Sequence, residues 1–237
     1  MTQIEYEGKV YEFSWQNMGI FAVGAVLTAL AVWYGTLFAW EYTHLLVVSN
    51  TVDLINWLTE IGWTELTVDF IKYNDRFVFD IPTRGNIGFE NACTGVQAIA
   101  IFAGLILFTP HSKDEKANEG IWKRKILSLV VSSIIFYVVN VLRMVLQLNL
   151  YYEGHNWNSI HVSISAASSF IAAVIILLMH KWIPEFILSF VWMVAEAQKV
   201  IKGKDTIKEQ EIYEEEIMKT DSKDKHKGYK KIGTQKP

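Results

Sequence analysis

The chain has 237 residues, of which 51% are hydrophobic and 14% aromatic, and its mean hydropathy is positive at +0.19. That balance excludes an ordinary soluble domain with a charged tail and points to a membrane protein. The net charge of −3 hides an uneven distribution, dense beyond Ile201 and in one central loop, and it gives no support to nucleic-acid binding. The single cysteine, Cys93, cannot form an internal disulfide and is silent about redox compartment.

Residues 1–17 form an N-terminal extramembrane cap in this reading. Within it, Ile4 to Phe13 alternates polar with apolar residues around Gly8, the pattern of a short hairpin, and nothing there resembles a signal peptide. Met18 to about Trp40 is uncharged and apolar, with Trp33, Tyr34, Phe38 and Trp40 placed as interfacial aromatics, and is read as a first transmembrane helix. From Tyr42 to Trp63 the apolar positions are interrupted by His44, Asn50, Asp53, Asn56 and Glu60. Polar residues at that spacing make a span expensive, so an interfacial amphipathic helix is expected. Residues 64–81 read as two strands around a turn at residues 73–76, giving a small extracytoplasmic β-hairpin.

The stretch from Asn86 changes character at Cys93. Turn and cap residues precede the cysteine, and an apolar segment read as a second span, Ala92 to Phe108, follows it up to Pro110. A thiol at a helix N-terminus meets unpaired backbone N–H groups and the positive end of the helix dipole. Both favour the thiolate and make Cys93 a candidate nucleophile, against the plain alternative of a small buried hydrophobe.

A charged loop with Lys113, Lys116, Lys123, Arg124 and Lys125 leads to a third span, about Ile126 to Leu150, which carries Asn140, Arg143, Gln147 and Asn149. After a short turn containing His155, a fourth span runs from about His161 to Met179. Phe186 to Ile201 is expected to be interfacial, and residues 202–237 form a charged, disordered cytoplasmic tail. The fold class is thus an all-α membrane protein: about four transmembrane helices, interfacial helices and one small hairpin. The membrane-embedded domain covers residues 18–201.

Basic residues cluster in the central loop and after the fourth span, whereas residues 151–160 hold no Lys or Arg. The positive-inside rule then puts the start of helix two, the end of helix three and the start of helix four on the outer face. Cys93, Arg143 and His161 meet there. A cation at the centre of an apolar helix costs about 2.5–3.5 kcal/mol and usually marks a function or partner, although a position two turns from the helix end also allows snorkelling. Histidine can move a thiol proton to a leaving amine, and arginine can steady a thiolate or an oxyanion. No Asp or Glu is clearly placed to orient His161; Glu90 and Glu153 are near the same face.

At these residues the chain resembles the exosortase and archaeosortase family of membrane-embedded cysteine transpeptidases. The likeness lies in Ala92-Cys93-Thr94-Gly95 with Gln97-Ala-Ile after it, in Asn140-Val-Leu-Arg143 with the Tyr-Tyr-x-Gly turn behind it, and in His161 opening the next span. It covers roughly residues 18–180. The Ala-Cys-Thr-Gly form leans to the archaeal branch, while His161 matches the exosortase pattern. The resemblance implies Cys93, Arg143 and His161 as catalytic residues, with no cofactor. It implies cleavage of a C-terminal sorting signal, comprising a motif, a transmembrane helix and a basic cluster, on surface proteins. A lipid or other amine, such as a phospholipid headgroup, would accept the acyl group. The enzyme would be a multi-pass cell-membrane protein with its active site outside. Two other readings of the residues stand beside it: a non-enzymatic scaffold or lipid-binding protein, and a transporter with Arg143 in its path, which the small number of spans disfavours.

Overall fold

A computed structural model describes residues 2–74 and 76–201; the expected disordered tail at 202–237 lies outside the described residues. Two compact units are distinguished, one centred on residues 4–189 and the other pairing residues 2–3 with residues 190–201.

In the larger unit β1 (Ile4–Tyr6) and β2 (Lys9–Tyr11) form the expected hairpin, turning through Glu7 and Gly8, both at positive φ. Ser14 caps α1 (Trp15–Phe38), its Oγ accepting from Asn17 N at 3.1 Å. Then come α2 (Trp40–Glu60), β3 (Asp69–Tyr73), β4 (Arg76–Ile81) and β5 (Gly85–Phe89). A 3₁₀ turn (Asn91–Thr94) precedes α3 (Val96–Phe108), and α4 (Ile121–Tyr152) and α5 (Trp157–Trp182) form an antiparallel pair. Residues 184–201 are also helical. In the second unit residues 190–201 hold Thr2: Glu196 accepts from Thr2 N (2.8 Å) and Thr2 Oγ1, and Trp192 Nε1 donates to Thr2 O (3.0 Å).

Three helices, α1, α4 and α5, are long and apolar enough to cross a membrane. Only 11%, 33% and 12% of their apolar windows are buried, so most of that apolar surface faces outward and suits lipid. On α4 the exposed positions Ile126, Val130, Ile134, Val138, Leu142 and Leu146 recur every fourth residue. Its buried positions include Ser128, Ser132, Asn140, Gln147 and Asn149. Apolar outside and polar inside is the pattern of a helix solvated by lipid.

The expectation of four spans needs correction. The segment after Cys93 does not form one helix from residue 92: Gly95, at φ 72, separates the 3₁₀ turn from α3. The remaining 13-residue helix rises about 20 Å, short of a hydrocarbon core of about 30 Å. Its C-terminus is closed by Lys125, wholly buried, whose Nζ donates to Leu107 O (3.0 Å) and Thr109 O (2.8 Å). A second correction concerns the hairpin, which is a three-stranded antiparallel sheet in the order β3-β4-β5. Gly85, Asn86 and Gly88 looked like turn residues, yet Ile87 pairs with Phe79 and Phe89 with Phe77.

The helix expected from Tyr42 to Trp63 is α2, and it is not among the three of spanning character. Its face His44, Val47, Val48, Thr51, Val52 and Ile55 is buried. That face joins Phe77, Phe79, Phe89, Cys93, Met144 and Leu148 in one apolar cluster. The sheet, α2, the 3₁₀ turn and the C-terminal part of α4 therefore share a core at one end of the helices. At the other end the β1–β2 hairpin meets the charged loop, with Lys113 N donating to Glu12 O (2.8 Å) and Glu12 N to Ser112 Oγ (3.1 Å).

Candidate thiol site

Cys93 sits in the 3₁₀ turn, 4% exposed, with its N–H donated to Glu90 O at 2.8 Å. Its carbonyl accepts Nδ2 of Asn140 at 2.5 Å, which fastens the turn to the middle of α4. Gly95 makes that approach possible twice over. Its φ of 72 suits glycine, and a Cβ there would stand 3.1 Å from Asn140 Cγ. Thr94 Oγ1 then accepts Val96 N (3.2 Å), satisfying one free N–H at the start of α3.

The anchor also sets Arg143 near the Cys93 turn, because Asn140 and Arg143 are three residues apart and share a face of α4. Arg143 is half-buried. Burial pushes the Cys93 thiol above its ordinary pKa; against this, a backbone hydrogen bond at Glu90 and the charge of Arg143 both lower it, and the Glu90 charge raises it. The helix terminus that the sequence reading placed at the thiol belongs instead to Gly95. Cys93 precedes Gly95, the N-cap of α3, and lies in a four-residue turn packed into the apolar cluster. Burial favours the neutral thiol, and Arg143 is the cation that opposes this.

His161 lies in the first turns of α5, its ring 5.7 Å from that of Trp157. Among the described residues no hydrogen bond joins His161 to Cys93, and the buried Nδ1 of His161 has no hydrogen-bond partner. Glu90 and Glu153 are exposed, as is His155. The structure therefore couples Cys93 to Arg143 and sets His161 at the same end of the bundle without bonding it to the thiol.

A ladder of rings reaches His161 from the sheet. Arg84, in the turn between β4 and β5, stacks over Tyr151 (4.9 Å) and donates from Nε to Tyr151 O (2.9 Å) and from Nη2 to His155 O (3.3 Å). Tyr151 Oη returns a hydrogen bond to Arg84 O (2.9 Å), Tyr151 meets Trp157 edge-on, and Trp157 stacks on His161. The sequence reading gave Arg84 no role and treated Asn140 only as part of a pattern. The Asn-x-x-Arg spacing could have put Asn140 on the Arg143 face; nothing in the order of residues points to Arg84.

His44, read as a polar interruption, is buried, and its Nδ1 pairs with Trp40 O at 2.7 Å while its ring meets Phe89 edge-on. It belongs to the packing of α2. Among the described residues no group of three or more His, Cys, Asp or Glu side chains is arranged to hold a metal ion. No family model matches the chain, and neither does any curated protein or solved structure.

Proposed function

We propose that this chain is a membrane-embedded cysteine protease or transpeptidase that cleaves the C-terminal sorting signal of membrane-tethered surface proteins. The observation that carries the reading is the Asn140 bond to the Cys93 carbonyl, which holds the Cys93 turn against the face of α4 that bears Arg143. A guanidinium on an apolar helix is costly, and here it lies one turn of α4 from the residue that anchors the one side chain in the sequence able to become a thiolate. Its resemblance to the exosortase and archaeosortase pattern at the same residues supports the assignment.

In this mechanism Cys93 Sγ attacks the scissile carbonyl while His161 takes the thiol proton, and Arg143 steadies the thiolate and then the oxyanion. The C–N bond breaks, the leaving amine takes the proton from His161, and the new N-terminal fragment of the substrate remains as a thioester on Cys93. Water or an amine, such as an aminophospholipid headgroup, then attacks the thioester and regenerates the thiol. The site faces the extracytoplasmic side, where such substrates are displayed.

The burial of Cys93 among Phe89, Met144 and Leu148 favours a second reading, a scaffold or lipid-binding protein in which the cysteine is packing. Mass spectrometry of surface-protein C-termini separates the two. Under the enzymatic reading Cys93→Ser leaves the sorting signals attached. Unchanged mature termini in that variant leave the scaffold.

A further inference from the structure

Gln147 is 0% exposed, and neither its amide oxygen nor its amide nitrogen has a hydrogen-bond partner among the described residues. A buried carboxamide left this way carries the full desolvation of an acceptor and a donor with nothing in return, so each such group calls for an explanation. Its position supplies one. Asn140, Arg143 and Gln147 recur at i, i+3 and i+7 and share one face of α4. Asn140 on that face is bonded to the Cys93 carbonyl, and Arg143 acts on the Cys93 thiol. Gln147 is one turn further toward the α4 terminus, the end where the sheet and the start of α5 lie.

We propose that Gln147 anchors the backbone of the substrate, binding the N–H and C=O of one residue in an extended segment beside the scissile bond; this rests on the thiol-peptidase reading above. In an extended strand the N–H and C=O of a single residue point to the same side, which is how strands exchange paired hydrogen bonds. A carboxamide offers one acceptor and one donor side by side and can stand in for a neighbouring strand. It is neutral and reads no side chain. Gln147 thus selects an extended chain, holds its carbonyl in line with Cys93, and leaves the choice of motif to other contacts. The unpaired amide of the free protein is then the half of a hydrogen-bonded pair that substrate completes.

The test compares two reagents on the single thiol of the purified full-length protein in lipid nanodiscs. Iodoacetamide reports access to Cys93 alone; a capped Ala-Ala-Ala chloromethyl ketone adds an extended backbone without distinctive side chains. Wild type is expected to react faster with the peptidyl reagent. Gln147→Met, of similar length and without polar atoms, is expected to lose roughly 5- to 100-fold of peptidyl labelling, the loss of one or two hydrogen bonds. Its iodoacetamide rate stays the same, and its melting temperature is unchanged or higher because the orphaned amide is gone. A fall in both rates together, or a lower melting temperature, makes Gln147 a structural residue and overturns the proposal. Peptidyl preference retained in Gln147→Met overturns the anchor alone, whereas no peptidyl preference in wild type removes the peptidase reading with it.

Discussion

On the Cys93 side chain two effects oppose one another, and the balance can be measured. Burial holds the proton on the sulfur while the Arg143 charge draws it off. Because only the thiolate alkylates, the iodoacetamide rate of wild type should rise through a pH above the ordinary thiol value. Arg143→Gln removes a lowering influence and should move that profile to still higher pH; Arg143→Lys keeps a charge and should move it less. Processing should nevertheless suffer severely in Arg143→Lys, since a point charge on a flexible stem does not reproduce the planar donor fork. A Lys variant with full processing would reduce Arg143 to a generic charge. His161→Ala should cost about 10²–10⁴-fold in turnover, as loss of an acid–base group does. Unchanged turnover would move the proton transfer to another group or to water. Cys93, Arg143 and His161 stand out as candidates in the sequence because a lone thiol, a cation on an apolar helix and a histidine at a helix start are each conspicuous by type. The Asn140 bond to the Cys93 carbonyl does not, because it joins residues far apart in the chain and depends on the turn that Gly95 permits.

Between elements, the short helix α3 packs against α1 with almost no side chain between them. A Cβ on Gly104 would fall 2.2 Å from Ala25 O, and one on Gly24 would fall 2.0 Å from the Phe108 ring. Small residues at such a crossing let backbones approach and replace the hydrophobic drive that lipid does not provide. Gly104→Val should therefore push α1 from α3 and destabilise the protein by about 1–3 kcal/mol, since the obstructing atom is backbone and cannot turn aside. The control is Gly19→Ala on α1, where nothing stands within 4 Å and removal of a helix glycine should be neutral or gain up to about 1 kcal/mol. Thermal denaturation in one detergent reads both, and equal melting temperatures would deny the close packing. Periodicity made α1, α4 and α5 legible, and the polar breaks in α2 correctly set it apart from the spans. It could not show that Gly95 would end the cysteine turn and shorten α3. Nor could it show that a run containing Gly85, Asn86 and Gly88 would be drawn into a third strand by pairing with β4.

Across the unit of residues 4–189, the two ends of the helices differ in kind, and this fixes what a topology experiment must find. The β1–β2 hairpin is joined to the basic loop by Lys113 N to Glu12 O (2.8 Å), Lys113 Nζ to Glu12 Oε1 (2.8 Å) and Asn17 Nδ2 to His111 O (3.3 Å). The three-stranded sheet packs with α2 and the far part of α4. If positive-inside sorting governs this chain, the hairpin and loop are cytoplasmic and the sheet is outside, together with Cys93, Arg143 and His161, and the 3₁₀ turn with α3, though α3 alone is shorter than the hydrocarbon core, must carry the chain between the two faces. Cys93 itself is a poor reporter at 4% exposure, so the probes belong elsewhere. In a Cys93→Ser background, Val10→Cys and Lys116→Cys should react with an impermeant maleimide only after lysis, whereas Ile71→Cys, half exposed on β3, should react in intact cells. All three on one side would mean that neither α1 nor the segment of the 3₁₀ turn and α3 carries the chain across the bilayer. A reversed pattern would place the thiol in the cytoplasm, out of reach of proteins displayed on the surface, and the proposed sorting reaction would have no substrate.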